Sequence, residues 1–174
     1  AKVNATKSNH ANIVKFMSSE IMKCSLGDSN LNLLKSNGSA TTVSCNPSSV
    51  NTITLGSRFV DHFRGAGFKN PFNIKDQNGT VFATAGNSPW KGQTRIVNAG
   101  GNKIQIVTKY TGSDGQWGGN FSEVLISEII KSSKIKITSF GTFSVLNKKE
   151  RIGRNPKTKI KAKITSRKVV KFKP

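Results

Sequence analysis

Apolar residues recur at Ile13, Phe16, Met17, Ile21 and Cys24, close to the i, i+3, i+4 spacing that lines one side of an α-helix. The spacing predicts a helix over residues 1–24, with Lys7, Asn12, Lys15 and Lys23 elsewhere on its surface and Gly27 as its stop. Residues 25–52 are polar and read as a loop, with Asn37-Gly38 and Asn46-Pro47 as turn signals. A second short helix is expected from Ser57 to Arg64, then a loop with two aromatic anchors, Phe68 and Phe72. Asp76-Gln77-Asn78-Gly79 is a turn signal. Strands are expected at 80–83, 94–97 and 103–110, the last two joined by the turn Asn98-Ala99-Gly100-Gly101-Asn102. The first part of the chain therefore reads as a helix followed by an antiparallel sheet.

Residues 111–119 include Gly112, Gly115, Gly118 and Gly119, which marks a linker. Beyond it, Phe121, Val124, Leu125, Ile126 and Ile129 predict another helix over 121–132. Period-two alternation follows. Lys134-Ile135-Lys136-Ile137-Thr138 reads as a strand that breaks at Gly141 and resumes over 142–146. Lys159-Ile160-Lys161-Ala162-Lys163-Ile164 alternates again, and Val169-Val170-Lys171-Phe172 closes the chain. The fold class is α+β, divided as 1–115, a Gly-rich linker at 116–120, and 121–174.

Charge sharpens that division. The 174 residues carry a formal net charge of +20. Residues 1–119 hold thirteen Lys and Arg against five Asp and Glu, a net of +8. Residues 120–174 hold fifteen against three, a net of +12 in less than half the length. Cations so concentrated are either a solvated face or the footprint of a polyanion, and their clustering favours nucleic acid. No run of about 18 apolar residues is present, so no membrane span is expected. No charged n-region leads into an apolar h-region, so no signal peptide is expected, and the chain reads as intracellular or as the trimmed form of a secreted protein.

Candidate chemistry is sparse. Cys24 and Cys45 have no second Cys or His pair to complete a zinc site. They are either a disulfide or two unlinked small hydrophobes, and the Ser/Asn/Gly-rich loop between them favours the disulfide. Asp61 and His62 are adjacent, and neighbours on a helix do not face each other. Residues 76–79 lack the later acidic ligand of an EF-hand loop. No G-x-x-x-x-G-K-[ST] run occurs. An enzyme is not expected, nor is a metal or cofactor.

The stretch 151–158, RIGRNPKT, holds its cations around one proline. With Arg154-Asn155-Pro156 at the tip, the flanking alternation makes a two-stranded ribbon. One face carries Ile160, Ala162 and Ile164, and the other carries Lys159, Lys161 and Lys163. A row of lysines suits phosphates. Proline is among the residues that wedge between base steps in the minor groove, and Arg154 beside it suits a narrow, electronegative groove. Asn155-Pro156 as a plain turn explains the same residues.

Ser139-Phe140-Gly141-Thr142-Phe143, then Gly153-Arg154-Asn155-Pro156-Lys157-Thr158, then Arg167-Lys168-Val169-Val170-Lys171-Phe172-Lys173-Pro174 resemble, in order and spacing, the HU and integration host factor family of bacteria. The resemblance covers about residues 121–174 and begins within the family's second helix. It implies dimers, homo- or heterodimeric, whose two β-arms wrap double-stranded DNA and bend it. Carried across, Pro156 is the wedge, and Arg154 and Asn155 flank it in the minor groove. Arg151, Lys157, Lys168 and Lys171 then hold phosphates, with Lys159, Lys161, Lys163 and Arg167 completing the basic surface. Where the family usually has Gly and acidic residues after the tip, this chain has Lys159, Ile160 and Lys161.

The long N-terminal helix, the polar loop, Gly67-Phe68-Lys69-Asn70-Pro71-Phe72-Asn73 and Gly92-Gln93-Thr94 before the hairpin to Tyr110 resemble the soluble domain of a type IV pilin or pseudopilin, over about residues 1–115. That resemblance makes Cys24 and Cys45 structural and implies pilin-type neighbours. It gives the alternative reading of a pilus or secretion-filament subunit whose basic tail is incidental. The two resemblances imply different places, the nucleoid for one and the space outside the inner membrane for the other.

Overall fold

The computed structural model describes residues 1–46, 52–75, 80–83, 88–100, 103–114, 118–127 and 134–174. Helix α1 spans Lys2–Leu26, and its buried residues include Thr6, His10, Ile13, Met17 and Ile21, the expected stripe extended two turns toward the N-terminus. Gly27 ends it in the left-handed region at φ 111°, its N–H reaching the carbonyls of Cys24 and Lys23. The loop expected over 25–52 instead contains the strands β1 (Asn30–Leu34) and β2 (Ala40–Ser44), paired antiparallel. Alternation decides this, because Leu31, Leu33 and Val43 point into the core. Asn37 caps the turn, its Oδ1 accepting the Ser39 N–H at 3.0 Å. Cys24 and Cys45 form a disulfide that ties the end of α1 to the residue after β2.

Helix α2 spans Thr52–Gly65 and buries Leu55, Phe59, Val60 and Phe63. Phe16, Phe59, Phe63 and Phe68 form a chain of ring contacts between the two helices and the loop that follows. His62 has a structural role. Its ring stacks on Phe16 with centroids 4.2 Å apart, and its Nδ1 accepts the Leu34 N–H at 3.0 Å. Buried Asn70 organises the aromatic loop, donating to the Lys91 carbonyl at 2.9 Å and accepting the Phe72 N–H at 2.9 Å.

A seven-stranded sheet runs β11-β8-β7-β6-β5-β4-β3. Its members are β3 (Val81–Phe82), β4 (Thr94–Asn98), β5 (Lys103–Lys109), β6 (Phe121–Ser127), β7 (Lys134–Ile137), β8 (Gly141–Lys148) and β11 (Arg167–Lys173). All neighbours are antiparallel except β3 and β4, which run parallel. The turn expected at 76–79 lies outside the described residues.

The helix expected over 121–132 is corrected by the structure. Residues 121–127 are strand β6, and 128–133 lie outside the described residues. Its apolar residues fit both periods. Pairing with β5 selects the strand, setting Val124 opposite Ile106 and Ile126 opposite Ile104. The glycine-rich stretch read as a linker therefore connects two hydrogen-bonded neighbours of one sheet. Gly112 and Gly119 approach so closely there that a Cβ on Gly119 would lie 2.3 Å from the Thr111 carbonyl oxygen. One core crosses the stretch, with Ile13, Met17 and Phe59 in the same cluster as Ile126, Ile135 and Val145. No described helix is long and apolar enough to cross a membrane.

Candidate nucleic-acid interface

The basic segment builds two connected surfaces. The first is a ribbon of β9 (Arg151–Arg154) and β10 (Lys161–Ile164), in the register Arg154↔Lys161, Gly153↔Ala162, Ile152↔Lys163 and Arg151↔Ile164. Cross-strand partners share a face. Arg154, Lys161 and Lys163 therefore stand together on one side with Ile152. Gly153, Ala162, Ile164 and Arg151 stand on the other. The Ile164 side chain lies over Gly153, where a Cβ would come within 2.7 Å of its Cδ1. Lys163 pairs at 3.1 Å with Glu150 across the base of the ribbon, both side chains exposed.

The tip is ordered by its own backbone. Asn155 Oδ1 accepts the Lys157 N–H at 2.9 Å, bridging Pro156. The Asn155 carbonyl accepts the Lys159 N–H at 2.8 Å, and its N–H donates to the Ile160 carbonyl at 3.0 Å. Arg154 Nε donates to the Lys159 carbonyl at 3.1 Å. Pro156 and every residue from Arg154 to Lys163 are exposed, so the tip stands clear of the body. Lys159 adopts φ 59°, a left-handed conformation that glycine takes without penalty.

The second surface is the sheet itself at β7, β8 and β11. On the face turned from the helices, the ladder sets Lys134, Ser144 and Lys171 in one row and Lys136, Thr142 and Lys173 in the next. Arg167 lies opposite Lys148 on the same face. Lys134, Lys136, Lys148 and Lys173 were not singled out from the sequence. The signal was present in the alternation of Lys134-Ile135-Lys136-Ile137, which was read for its strand period alone.

The register separates two residues that the sequence reading grouped. Lys171 belongs to the cationic face. Lys168, an odd number of positions away, shares the helix-side face with Val170 and Phe172. Its Nζ lies 3.5 Å from where a Gly27 Cβ would stand, at the carboxyl end of α1. The helix-dipole field favours a cation there. Farther along this face Phe140, Phe143 and Phe172 cluster, with ring centroids 4.9–6.0 Å apart, and Phe140 remains 59% exposed.

The site is thus a sheet with one cationic face, extended by a two-stranded arm with an exposed proline tip. The family model described as "Bacterial DNA-binding protein" matches residues 119–174, and through this segment the chain belongs to that family. Integration host factor subunit alpha of Paracoccus denitrificans is 54% identical over 46 residues, covering 26% of this chain and 45% of the relative. The same subunit of Bartonella quintana is 49% identical over 55 residues, covering 29% and 53%. That of Bartonella tribocorum is 40% identical over 72 residues, covering 39% and 67%. The chain thus spans about half the length of the first two of these relatives. No solved structure matches.

Proposed function

We propose that the basic segment binds duplex DNA without performing chemistry on it, and bends it. The observation that carries this is Pro156, held outward by the Asn155 hydrogen bonds at the end of an exposed arm. In this reading Pro156 wedges between base steps, flanked by Arg154 and Asn155 in the minor groove. Arg151, Lys157, Lys159, Lys161, Lys163, Arg167 and Lys171 hold phosphates, joined by Lys134, Lys136 and Lys173 on the sheet. Lys168 steadies the arm's base against α1. The Phe140–Phe143–Phe172 cluster is the seat of a second segment of the same type, giving a dimer with two arms. In this reading the helix-on-sheet first half, with its disulfide, is a pilin-like body that carries the arm. A filament subunit with an incidental tail is the weaker reading, because the family match falls on that tail.

Binding is tested by fluorescence anisotropy of a labelled duplex across a salt series. Each neutralised phosphate adds roughly 0.9 to the log–log slope. Undetectable or salt-independent binding would overturn the proposal. End-to-end energy transfer on a doubly labelled duplex tests the wedge. Pro156→Ala is expected to reduce bending more than affinity, and an unchanged bend angle rejects the role given to Pro156.

A further inference from the structure

The cationic face of the sheet does not end with the basic segment. Lys103 opens β5, in the first half of the chain, and is exposed. The ladder sets it opposite Ser127 on β6, Ser127 opposite Lys136 on β7, Lys136 opposite Thr142 on β8, and Thr142 opposite Lys173 on β11. Cross-strand partners share a face. Lys103, Lys136 and Lys173 therefore stand in one row on the side turned from the helices, while Ile104, next along β5, is buried on the other side. Neighbouring strands lie about 4.8 Å apart, so the cations fall roughly every 10 Å and the row runs for about 19 Å. All three lysines are exposed, and the ion pairs of Lys23 with Glu20 and of Lys163 with Glu150 involve none of them. Glu123, the acidic residue of β6, is engaged elsewhere on this face. Its Oε1 accepts from Gln105 Nε2 at 2.6 Å, and Gln105 Oε1 accepts from Arg95 Nη2 at 2.8 Å.

We infer that Lys103 is a phosphate-binding residue, which carries the duplex-binding face beyond the basic segment onto the first half of the chain. The inference rests on the DNA-binding reading above. Lys136 and Lys173 lie within residues 119–174, the part matched by the family model, whereas Lys103 lies outside it. Within the matched part the row holds two cations about 10 Å apart, and β5 adds a third that brings the span to about 19 Å. Each strand of a duplex carries a phosphate about every 3.4 Å along the axis, so a row of that length faces roughly five on the nearer strand. Evenly spaced ammonium groups act as point charges without a planar fork, which suits a repeating anion and reads no base. At a spacing near the Debye length they repel one another weakly in water and together attract a polyanion laid across the strands. An anionic bilayer is also a repeating anion. Duplex DNA is favoured over it because the row is continuous, in one ladder, with the strands that carry the family match.

The experiment uses the full chain, a fluorescent duplex and anisotropy across a salt series. Lys103→Ala is expected to weaken binding roughly fivefold at low salt and to lower the log–log slope by about 0.9, on A·T-rich and G·C-rich duplexes alike. Lys15→Ala removes the same charge from an exposed position on α1, across the sheet, and is expected to leave the slope unchanged. Lys103→Arg keeps the charge and is expected to keep both affinity and slope. Chemical acetylation read by mass spectrometry gives a second measure, in which bound duplex is expected to protect Lys103 and Lys136 severalfold but not Lys15. Equal slopes for Lys103→Ala and wild type, or an equal fall for Lys15→Ala, overturn the inference while leaving DNA binding intact, and an unprotected Lys103 does the same. Failure of the wild type to bind any duplex overturns the DNA reading and the inference with it. A loss of phosphatidylglycerol-vesicle binding in Lys103→Ala, with duplex binding unchanged, assigns the residue to a membrane surface and also overturns the inference.

Discussion

Lys159 and Ser139 are the two described non-glycine residues at positive φ, and Lys159 is the one on the arm. Its φ of 59° places an L-residue with a long side chain in the left-handed region, at a penalty of about 1 kcal/mol. The tip keeps this geometry because Asn155 clamps the loop from both sides, through its side chain to Lys157 and its main chain to Lys159 and Ile160. Lys159→Gly is expected to relieve the strain and slow amide exchange in the arm by a few-fold, at the loss of one cation. Exchange that stays the same or quickens would show that the clamp holds Lys159 without strain. Pro156 needs no such relief, since its fixed φ suits the position after an Asn in a turn.

At the scale of elements, α1 is pinned to the sheet by His10, whose Nδ1 lies 2.8 Å from Thr108 Oγ1, itself 2.7 Å from Thr94 Oγ1. Burial lowers the His10 pKa from 6.5 to about 4. Below pH 6.5 the unfolded chain takes up a proton that the native His10 refuses until about pH 4. Its contribution to stability is therefore whole above pH 6.5 and falls as pH drops across that window, by up to roughly 3 kcal/mol. His62, also lowered by burial against an opposing pull from Glu20, acts in the same direction. Urea midpoints measured from pH 7 to 4.5 are expected to fall less steeply for His10→Gln than for wild type. Parallel lines would remove His10 from the account. Much of this element structure was legible in the chain. The α1 stripe, the Gly27 stop, the β4–β5 hairpin and the arm all follow from periodicity and turn chemistry. The strand β6 did not, because Phe121, Val124, Leu125 and Ile126 satisfy both periods and only the free edge of β5 decides between them. The β1–β2 hairpin was hidden for a related reason. Leu31, Leu33 and Val43 are too few to stand out among polar neighbours, although alternation buries all three. The face that Lys168 occupies was not legible, because motif matching carries no information about which side of a strand a residue takes.

For the whole molecule, the decisive feature is the ladder between β5 and β6, seven residue pairs from Lys103↔Ser127 to Lys109↔Phe121. It joins the less densely charged helical body to the strongly cationic segment by hydrogen bonds and shared core as well as by covalent chain. A single engineered protease cut between Gly112 and Gly119 is therefore expected to leave the two fragments together on a sizing column under native conditions, separating only in denaturant. Fragments that part without denaturant would show the chain connection to be the main tie. The disulfide at the end of α1 lies wholly within the first half and stabilises that half alone, closing a loop worth about 3 kcal/mol on the chain-entropy account.

That ladder also sets how the arm is aimed. A finger on a swivelling tether would scan any direction, and its cargo would keep no fixed heading relative to the rest of the protein. Here the strands that feed the finger are rungs of the same sheet on which the long helix rests. A duplex gripped at the tip would be steered by whatever holds that helix, which makes the first half of the chain a rigid handle for the second.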